Sequence, residues 1–509
     1  MPRKSHDSFI LDFTIDRGSE EDLANQIYSN IRSKIILRDY PCGFKLPGIR
    51  AIAAQLKVSK STVSRAIKKL KNEGYLEGGE RCDFVVTDIA NKITVEKPPP
   101  EQIPQPNPAS RRQKSMMSKE FVYFRNSRLQ NQNSPGYFHS CKPDFSNFPK
   151  DIWCNLQKED FNTNNINSIL GESDPQGHLP LRQAIVKYLK NEVCFENVEE
   201  SQIIIVSGTQ EAINLACRVL VDPGDAVCIE DPGYIYARDA FLSMGANLIP
   251  VPVDDEGINV KSMSQEITAR MAYVTPSHQF PLGVTMSKDR RTELLTWAEK
   301  HDTWILEDIY DHTLVTTNEI KQSLKEIDTN NRVIYIDSFN KTLFSGLRLG
   351  YMVVPHDLVD SFVGACIVSR LYLPLINQRV LTEFMETGNF VKYINKMREI
   401  YEQRRTMFKK EIQKLKSELI EIPDEINRAH IVLKLPDGTD DVLISKELSE
   451  KGLSIAALSK YYDKKTEKTP RGLVIGCISV KKEEIEEKVN ILKQILQNNG
   501  LIPILGEAT

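Results

Sequence analysis

An α/β chain in two parts is the fold class that this sequence predicts. A small, mostly helical N-terminal module precedes a large domain built on a mainly parallel sheet with helices on its faces. Three observations predict it. Apolar residues recur at helical spacing early in the chain, at Leu23, Ile27, Ile31 and Ile35. A proline-rich stretch unable to bury a core then interrupts the chain over residues 89–135. Beyond it, short apolar runs bounded by turns alternate with helical or turn-rich sequence, the pattern of a parallel sheet covered by helices.

At 509 residues the chain has room for two or three domains. Its 40% hydrophobic and 27% charged residues are those of an ordinary soluble protein. A net charge of -3 implies no global attraction to nucleic acid, but the distribution is uneven. Residues 31–77 hold eleven Lys/Arg against three Asp/Glu, a local excess of eight positive charges. The nine cysteines are scattered and never form C-x-x-C. That argues against a zinc ribbon or a disulfide framework, and it fits a reducing, cytoplasmic compartment with no metal site. No run of about 18 apolar residues exists, so no membrane span is expected. The segment Met1–Asp7 lacks the apolar core of a secretory signal.

The first module covers residues 19–88. After the helix through Ile35 comes a turn at Pro41-Cys42-Gly43, then a second helix from Ile49 to Leu56 that stops near Lys57-Val58-Ser59. Ser59 or Ser61 can cap a third helix running to Glu73, which Gly74 ends. Tyr75-Leu76-Glu77 and Asp83-Phe84-Val85-Val86 read as two short strands around Gly78-Gly79. Helix, tight turn, helix and two-stranded wing make a winged helix-turn-helix, whose second motif helix lies in the major groove of double-stranded DNA. The exposed N-terminal half of that helix starts at Lys60, and Ser61, Thr62, Ser64 and Arg65 can reach base edges or phosphates. Val63, Ile67 and Leu70 face the core, and Lys45, Arg50 and Lys68 would hold phosphates. The linker of residues 89–135 follows; at about 3 Å per residue in polyproline form it can separate two domains by tens of ångströms.

The large domain covers residues 136–509. Its expected strands are Ile203–Val206, Ala226–Glu230, Ala272–Thr275, Thr303–Glu307 and Arg332–Asp337. A small α+β part closes the chain, helix-rich from Phe390 to Lys416, with strands at Ile431–Lys434 and Leu473–Gly476. Directly after the Arg332–Asp337 strand stand Ser338 and Lys341, with Arg348 seven residues further on. A lysine there can form a Schiff base with an aldehyde. The hydroxyl and the arginine can bind a phosphate, the arginine as a bidentate fork. Pyridoxal 5'-phosphate (PLP) carries both groups. Ser207-Gly208-Thr209-Gln210 sits between a strand and a helix, where small residues let backbone N–H groups approach a phosphate. Tyr234, just after a strand, can stack on a pyridine ring, though taken alone it reads rather as packing in a turn. Asp308 can keep a pyridine nitrogen protonated and Tyr310 can bond the ring hydroxyl; by themselves they also read as a strand-end cap. His278, in the loop Pro276–Gly283, reads as a residue that orients the loop.

Two resemblances follow from these motifs. Lys45-Leu46-Pro47-Gly48-Ile49-Arg50, Val58-Ser59-Lys60-Ser61-Thr62-Val63 and Glu73-Gly74-Tyr75-Leu76 resemble the GntR family pattern L-P-S-x-R, V-S-R-x-T-V and E-G-hydrophobic. The wing departs from it: Arg81-Cys82-Asp83-Phe84-Val85 stands for G-x-G-T-F-V, without the second glycine and with an aspartate that repels phosphate. The order of the large-domain pieces, with Lys341 31 residues beyond Tyr310, resembles fold-type I aminotransferases. Over nearly its whole length the chain resembles the MocR subfamily of GntR-type regulators. The further matching pieces are Asp174-Pro175-Gln176-Gly177, Leu181-Arg182, Asp222-Pro223-Gly224-Asp225, Glu307 to Asp311, Met397-Arg398, Tyr401 and Arg404-Arg405.

The resemblance implies a PLP-dependent aminotransferase fold-type I domain with Lys341 as the internal aldimine lysine. Asp308 would meet the pyridine nitrogen, Tyr310 the O3' oxygen and Tyr234 the ring face. Gly208, Thr209, Gln210, Ser338 and Arg348 would surround the phosphate. It also implies a homodimer, often with each DNA-binding domain against the partner's cofactor domain. Three positions depart from the family: Glu172 replaces a tyrosine that reaches the neighbouring phosphate, Asn340 the serine before the lysine, and Ser345 a proline. Arg471 and Lys460 are the candidate cations for an effector carboxylate. The expected function is a transcriptional regulator that binds an operator and senses PLP or an amino compound by aldimine formation at Lys341. The alternatives are a working aminotransferase with an accessory DNA-binding domain, since the lysine permits residual turnover, and a regulator that has lost PLP, which Glu172 alone favours.

Overall fold

The computed structural model describes residues 13–18, 21–79, 84–88, 117, 118, 121, 122, 124, 125, 136–140, 144–161, 171–193, 195–263, 268–310, 323–424, 426 and 428–503. It divides into two compact units, Met1–Gln113 and Lys114–Thr509. The wing tip with Arg81, Cys82 and Asp83, the proline-rich run and Asp311 lie outside the described residues. Within the expected linker, Met117, Ser118, Phe121, Val122, Phe124 and Arg125 are helical.

The first unit runs α1 (Leu23–Ile36), β1 (Lys45–Leu46), α2 (Ile49–Leu56), α3 (Lys60–Asn72), β2 (Leu76–Glu77) and β3 (Phe84–Val86). One stripe of α1 (Ile27, Ile31, Ile35) and one of α3 (Val63, Ile67, Leu70) meet Ile52, Leu46, Tyr75 and Phe84 in a single core. Lys57 takes the left-handed conformation, φ 52°, and turns the chain between α2 and α3. Ser59 caps α3, its Oγ accepting the Thr62 N–H at 3.1 Å, an interaction worth about 1 kcal/mol. The sheet has three strands in the order β1-β3-β2. β1 was not expected, because two residues are too few to show an alternation.

The second unit is built on an eight-stranded sheet. Its strands are β4 (Ile203–Val206), β5 (Ala226–Asp231), β6 (Asn247–Asp254), β7 (Gly257–Ile258), β8 (Ala269–Val274), β9 (Trp304–Ile309), β10 (Val333–Ser338) and β11 (Gly350–Val353), in the order β4-β11-β10-β9-β8-β5-β6-β7. The five strands from β10 to β6 are parallel, and β11 runs antiparallel to both β4 and β10. Alternate residues serve two cores: Ile204, Val206, Ile334 and Ile336 on one face, Ile203, Ile205, Tyr335 and Tyr351 on the other. Burial on both faces is why these strands read as unbroken apolar runs. β6 escapes that signal through Pro250 and Pro252, which are tolerated because β6 pairs with β7 only at its last two residues. A second sheet, β12 (His430–Leu435), β13 (Ala456–Ala457) and β14 (Arg471–Gly476), has the order β12-β14-β13. It shares a core with the long helix Asn389–Ile412 through Leu433, Leu473, Ile475 and Phe408. No helix among the described residues is long and apolar enough to cross a membrane.

Candidate functional site

Parallel strands bring their C-terminal ends to one edge, so residues far apart in sequence converge there. β9 and β10 pair with Ile336 opposite Asp308. Tyr310 leaves the end of β9, and Lys341 leaves β10 on a single helical turn, Phe339–Thr342. A turn of helix forms because Ser338 caps it, its Oγ accepting the Asn340 N–H at 3.3 Å, while Phe339 and Leu343 are buried beneath. The Lys341 Nζ stands 4.4 Å from the centroid of the Tyr310 ring. Together with Thr209, Tyr234, Tyr273, Thr275, Phe280 and Asp308 these two residues line one cleft.

Next to it lies a cup of backbone and small side chains. Gly208 has φ +131°, a conformation that L side chains rarely adopt, and a Cβ there would come within 2.5 Å of the Asn340 amide. Gly350 closes the floor, since a Cβ on it would come within 3.2 Å of both Gly208 and Ser338 Cα atoms. Thr209 and Gln210 open the helix Thr209–Leu220, so backbone N–H groups at a helix N-terminus face the cup. The Gln210 side chain turns away and donates to the Tyr236 carbonyl at 3.0 Å. Arg348 adopts φ +55°, which costs a non-glycine residue roughly 1–2 kcal/mol. That turn sends its guanidinium to the Ser207 Oγ at 3.5 Å. Asn340 spans the cup: its amide donates to the Ser207 carbonyl and its Oδ1 accepts from Leu349 N–H, both at 3.1 Å. The asparagine thus ties the three cup segments together, a role its sequence position did not announce.

The floor of the cleft is acidic. Asp308 is buried and accepts the Tyr273 hydroxyl at 2.6 Å. Burial and the neighbouring Asp308 charge push the Tyr273 phenol well above its ordinary value, so it stays a donor. Glu230, at the end of β5, is 1% exposed. It accepts the Thr275 hydroxyl at 2.6 Å, the Thr275 N–H at 3.1 Å and the Gln279 amide at 3.1 Å. Burial pushes its carboxyl up to about 7 despite those bonds, and the charge of Asp308 adds to the rise. Neither Tyr273 nor Glu230 was singled out from sequence. A tyrosine inside an apolar strand reads as core, and nothing local marks its partner 35 residues away.

The remaining candidate residues stand as follows. Lys45, Arg50, Lys60, Ser61, Arg65 and Lys68 are exposed, and Thr62 and Ser64 are half-buried along the start of α3. Arg65 pairs with Asp22 at 3.0 Å, an exposed ion pair of little strength. Ser61 and Thr62 both place their hydroxyls 2.7 Å from the capping Ser59 Oγ. Glu172 is exposed, beside a Ser173 whose hydroxyl holds the Leu373 carbonyl at 2.9 Å. Arg471 lies 3.7 Å from Asp441, and strand alternation sets it with Leu473 and Ile475, on the face of β14 opposite Val474. Lys460 is exposed on the short helix Leu458–Tyr461. Neither of these two cations lines the cleft.

Comparison with known proteins bears on both units. Residues 146–467 match the family model "Aminotransferase class I and II", and residues 23–81 match "Bacterial regulatory proteins, gntR family". The probable rhizopine catabolism regulatory protein MocR of Rhizobium meliloti is 29% identical over 495 residues, covering 96% of this chain and 97% of its own. The uncharacterized HTH-type transcriptional regulator YdeL of Bacillus subtilis is 29% identical over 485 residues, covering 94% of this chain and 98% of its own. Among solved structures, the kynurenine aminotransferase of Pyrococcus horikoshii superposes with a TM-score of 0.66 at 25% identity, over 76% of this chain and 96% of its own. The chain belongs to the aminotransferase class I and II family, a PLP-dependent fold, here carried behind a GntR-family DNA-binding region in the arrangement of the MocR subfamily of regulators.

Proposed function

We propose that this chain is a cytoplasmic transcriptional regulator that holds PLP in the cleft at Lys341 and changes its hold on operator DNA when the cleft is occupied by PLP or by an amino compound. The observation that carries this reading is Lys341, with its amine 4.4 Å from the Tyr310 ring, between a buried carboxylate and a cup that excludes a Cβ at Gly208. The donor set fits the cofactor. Asp308 suits a protonated ring nitrogen, and Tyr310 suits the ring oxygen. Tyr234 suits the ring face, and the N–H groups at Gly208, Thr209 and Gln210 with Ser338 and Arg348 suit a phosphate. When bound, PLP supplies an aldehyde carbon for amines and an electron-withdrawing ring. The chain's own part is to station the lysine amine, keep a proton at the ring nitrogen through Asp308 and its Tyr273 donor, and anchor the phosphate.

Signalling requires two arrangements that differ in DNA affinity, with cleft occupancy favouring one of them. Exposed α3 residues supply the DNA contacts in this reading. A homodimer is part of it as well, supported by the apolar surface at Ile367, Val368 and Leu371, which are 45%, 81% and 59% exposed at the end of the helix Val359–Arg370. The purified protein is expected to absorb in the visible or near ultraviolet, and borohydride is expected to fix the cofactor to the peptide bearing Lys341. Lys341→Ala is expected to lose both. A variant that still yields a borohydride-fixed lysine adduct refutes the assignment.

A further inference from the structure

Behind two of the side chains that line the cleft, Phe280 and Tyr310, lies an apolar layer contributed by the small sheet, and its chemistry bears on what the protein senses. Phe280 and Tyr310 line the cleft and pack against Val432 of β12, Val474 of β14, and Leu458 and Tyr461 of the short helix between β13 and β14. Phe280 is the hub, edge-on to Tyr234, Tyr310 and Tyr461 with ring centroids 6.0, 5.8 and 5.2 Å apart. Among the described residues, Lys341 is the one cation lining the cleft. Asp308 lies at its floor with Glu230 behind Thr275, and two polar lining residues are engaged with these carboxylates: Thr275 with Glu230, Tyr273 with Asp308.

Three guanidinium groups on the elements around this layer are engaged elsewhere. Arg238 is bound to the carbonyls of Tyr461 and Tyr462 and lies within 3.8 Å of Asp231 and 3.7 Å of Asp463. Arg471 belongs to Asp441 on the opposite face of β14. Arg428 donates to the Thr285 hydroxyl. A carboxylate brought into this space would be desolvated against aromatic and aliphatic carbon, with the Asp308 charge below it and, among the described residues, no lining cation but Lys341 to meet it. An apolar body would instead be covered on that side by Phe280 and the small sheet.

We infer that the effector accommodated in the cleft is a primary amine with an apolar aromatic or branched aliphatic body and no carboxylate. The amine requirement rests on the reading that Lys341 holds PLP; the absence of a carboxylate rests on the wall alone. The test uses the full-length, PLP-loaded protein and matched pairs: phenethylamine against phenylalanine, and isoamylamine against leucine. Binding is read as the change in the cofactor's visible absorbance and, independently, as the shift in thermal midpoint. Each amine is expected to act at a concentration roughly tenfold or more below its amino acid, a difference of about 1.4 kcal/mol. An amino acid that acts as well as its amine overturns the inference, as does silence from both members of every pair. A protein that takes up no PLP overturns the underlying reading instead, which is seen before any amine is added.

Val474→Arg places a cation in the layer behind Phe280 and Tyr310 and is expected to narrow or reverse the preference, while Val474→Met, of similar reach without charge, leaves it. If Val474→Arg keeps the visible band yet gains nothing toward amino acids, the wall does not set the selectivity.

Discussion

Glu230 offers a prediction whose size follows from its surroundings. Its carboxyl is raised from the ordinary 4.5 to about 7, chiefly by burial. At 1.36 kcal/mol per pH unit, a rise of that size corresponds to about 3 kcal/mol between its two protonation states. The folded protein holds this proton more tightly than the unfolded chain does. Between about pH 4.5 and pH 7 the native state therefore binds more protons, and stability falls as the pH rises through that window. Below it both states are protonated and no penalty exists. Above it both are ionised and the full penalty, about 3 kcal/mol, is present.

Glu230→Gln removes the titration but leaves an amide N–H₂ facing the Gln279 donor, a fixed loss that does not depend on pH. The wild type is thus expected to hold its largest advantage over Glu230→Gln near pH 5 and to lose about 2.5 kcal/mol of it by pH 8, a shift of a few degrees in thermal midpoint. Calorimetry on apo-protein of both forms, in buffers from pH 5 to pH 8, measures it. Other titrating groups cancel in the difference between the two curves. Parallel curves for wild type and variant would mean that Glu230 is ionised throughout, and that the three donors around it outweigh its burial.

Three further perturbations bear on the same readings. Tyr273→Phe removes the 2.6 Å bond to Asp308, and the pH midpoint of the bound cofactor's absorbance is expected to move by about one unit; an unmoved midpoint excludes Tyr273 from tuning the carboxylate. Arg65→Ala and Thr62→Ala are expected to weaken specific operator binding by roughly 1–3 kcal/mol each, and Lys68→Ala to weaken all DNA alike and flatten the salt dependence. Fluorescence anisotropy at several salt concentrations distinguishes them, and unchanged affinity in all three removes α3 from the groove. If Glu172 occupies the position of the family's tyrosine beside a partner's phosphate, Glu172→Tyr is expected to tighten PLP binding, because two anions roughly 4 Å apart repel by about 4 kcal/mol at an effective dielectric of about 20. Titration of apo-protein showing equal or weaker affinity means that the loop at Glu172 does not reach a phosphate.

Residues whose chemistry depends on their own type and a short spacing were legible in the chain. Ser338, Lys341 and Arg348 follow one buried strand, and Gly208 with Thr209 follows another. A doubly buried parallel strand announces itself as an apolar run, so what stands at its end can be located by counting. The turn signals of the first module worked for the same reason: Ser59 and Lys57 act on neighbours within three or four residues. What failed was short or paired at a distance. β1 and β7 have two residues each, and Asn340 works through Ser207, 133 residues away. Tyr273 and Glu230 draw their importance from neighbours on adjacent strands, whose register no single run of sequence contains.

The apolar wall is the extreme case of that second kind. Phe280, Val432, Leu458, Tyr461 and Val474 come from loops, strands and a short helix spread over almost 200 positions, and each has the composition of ordinary core. Nothing in their spacing distinguishes a side chain that fills the interior from one that shapes a ligand. Searching the sequence for a basic residue to meet an effector carboxylate leads to Arg471 and Lys460, because charge is conspicuous in a sequence and its absence is not. In the folded chain Arg471 is matched by Asp441 on the far face of β14, and Val474 occupies the near face. Strand parity alone makes that difference: three positions along a strand reverse the side to which a residue points. In the proposed reading, selectivity for the effector thus rests on residues that sequence reading passes over as packing, while the residues singled out around Lys341 serve the cofactor.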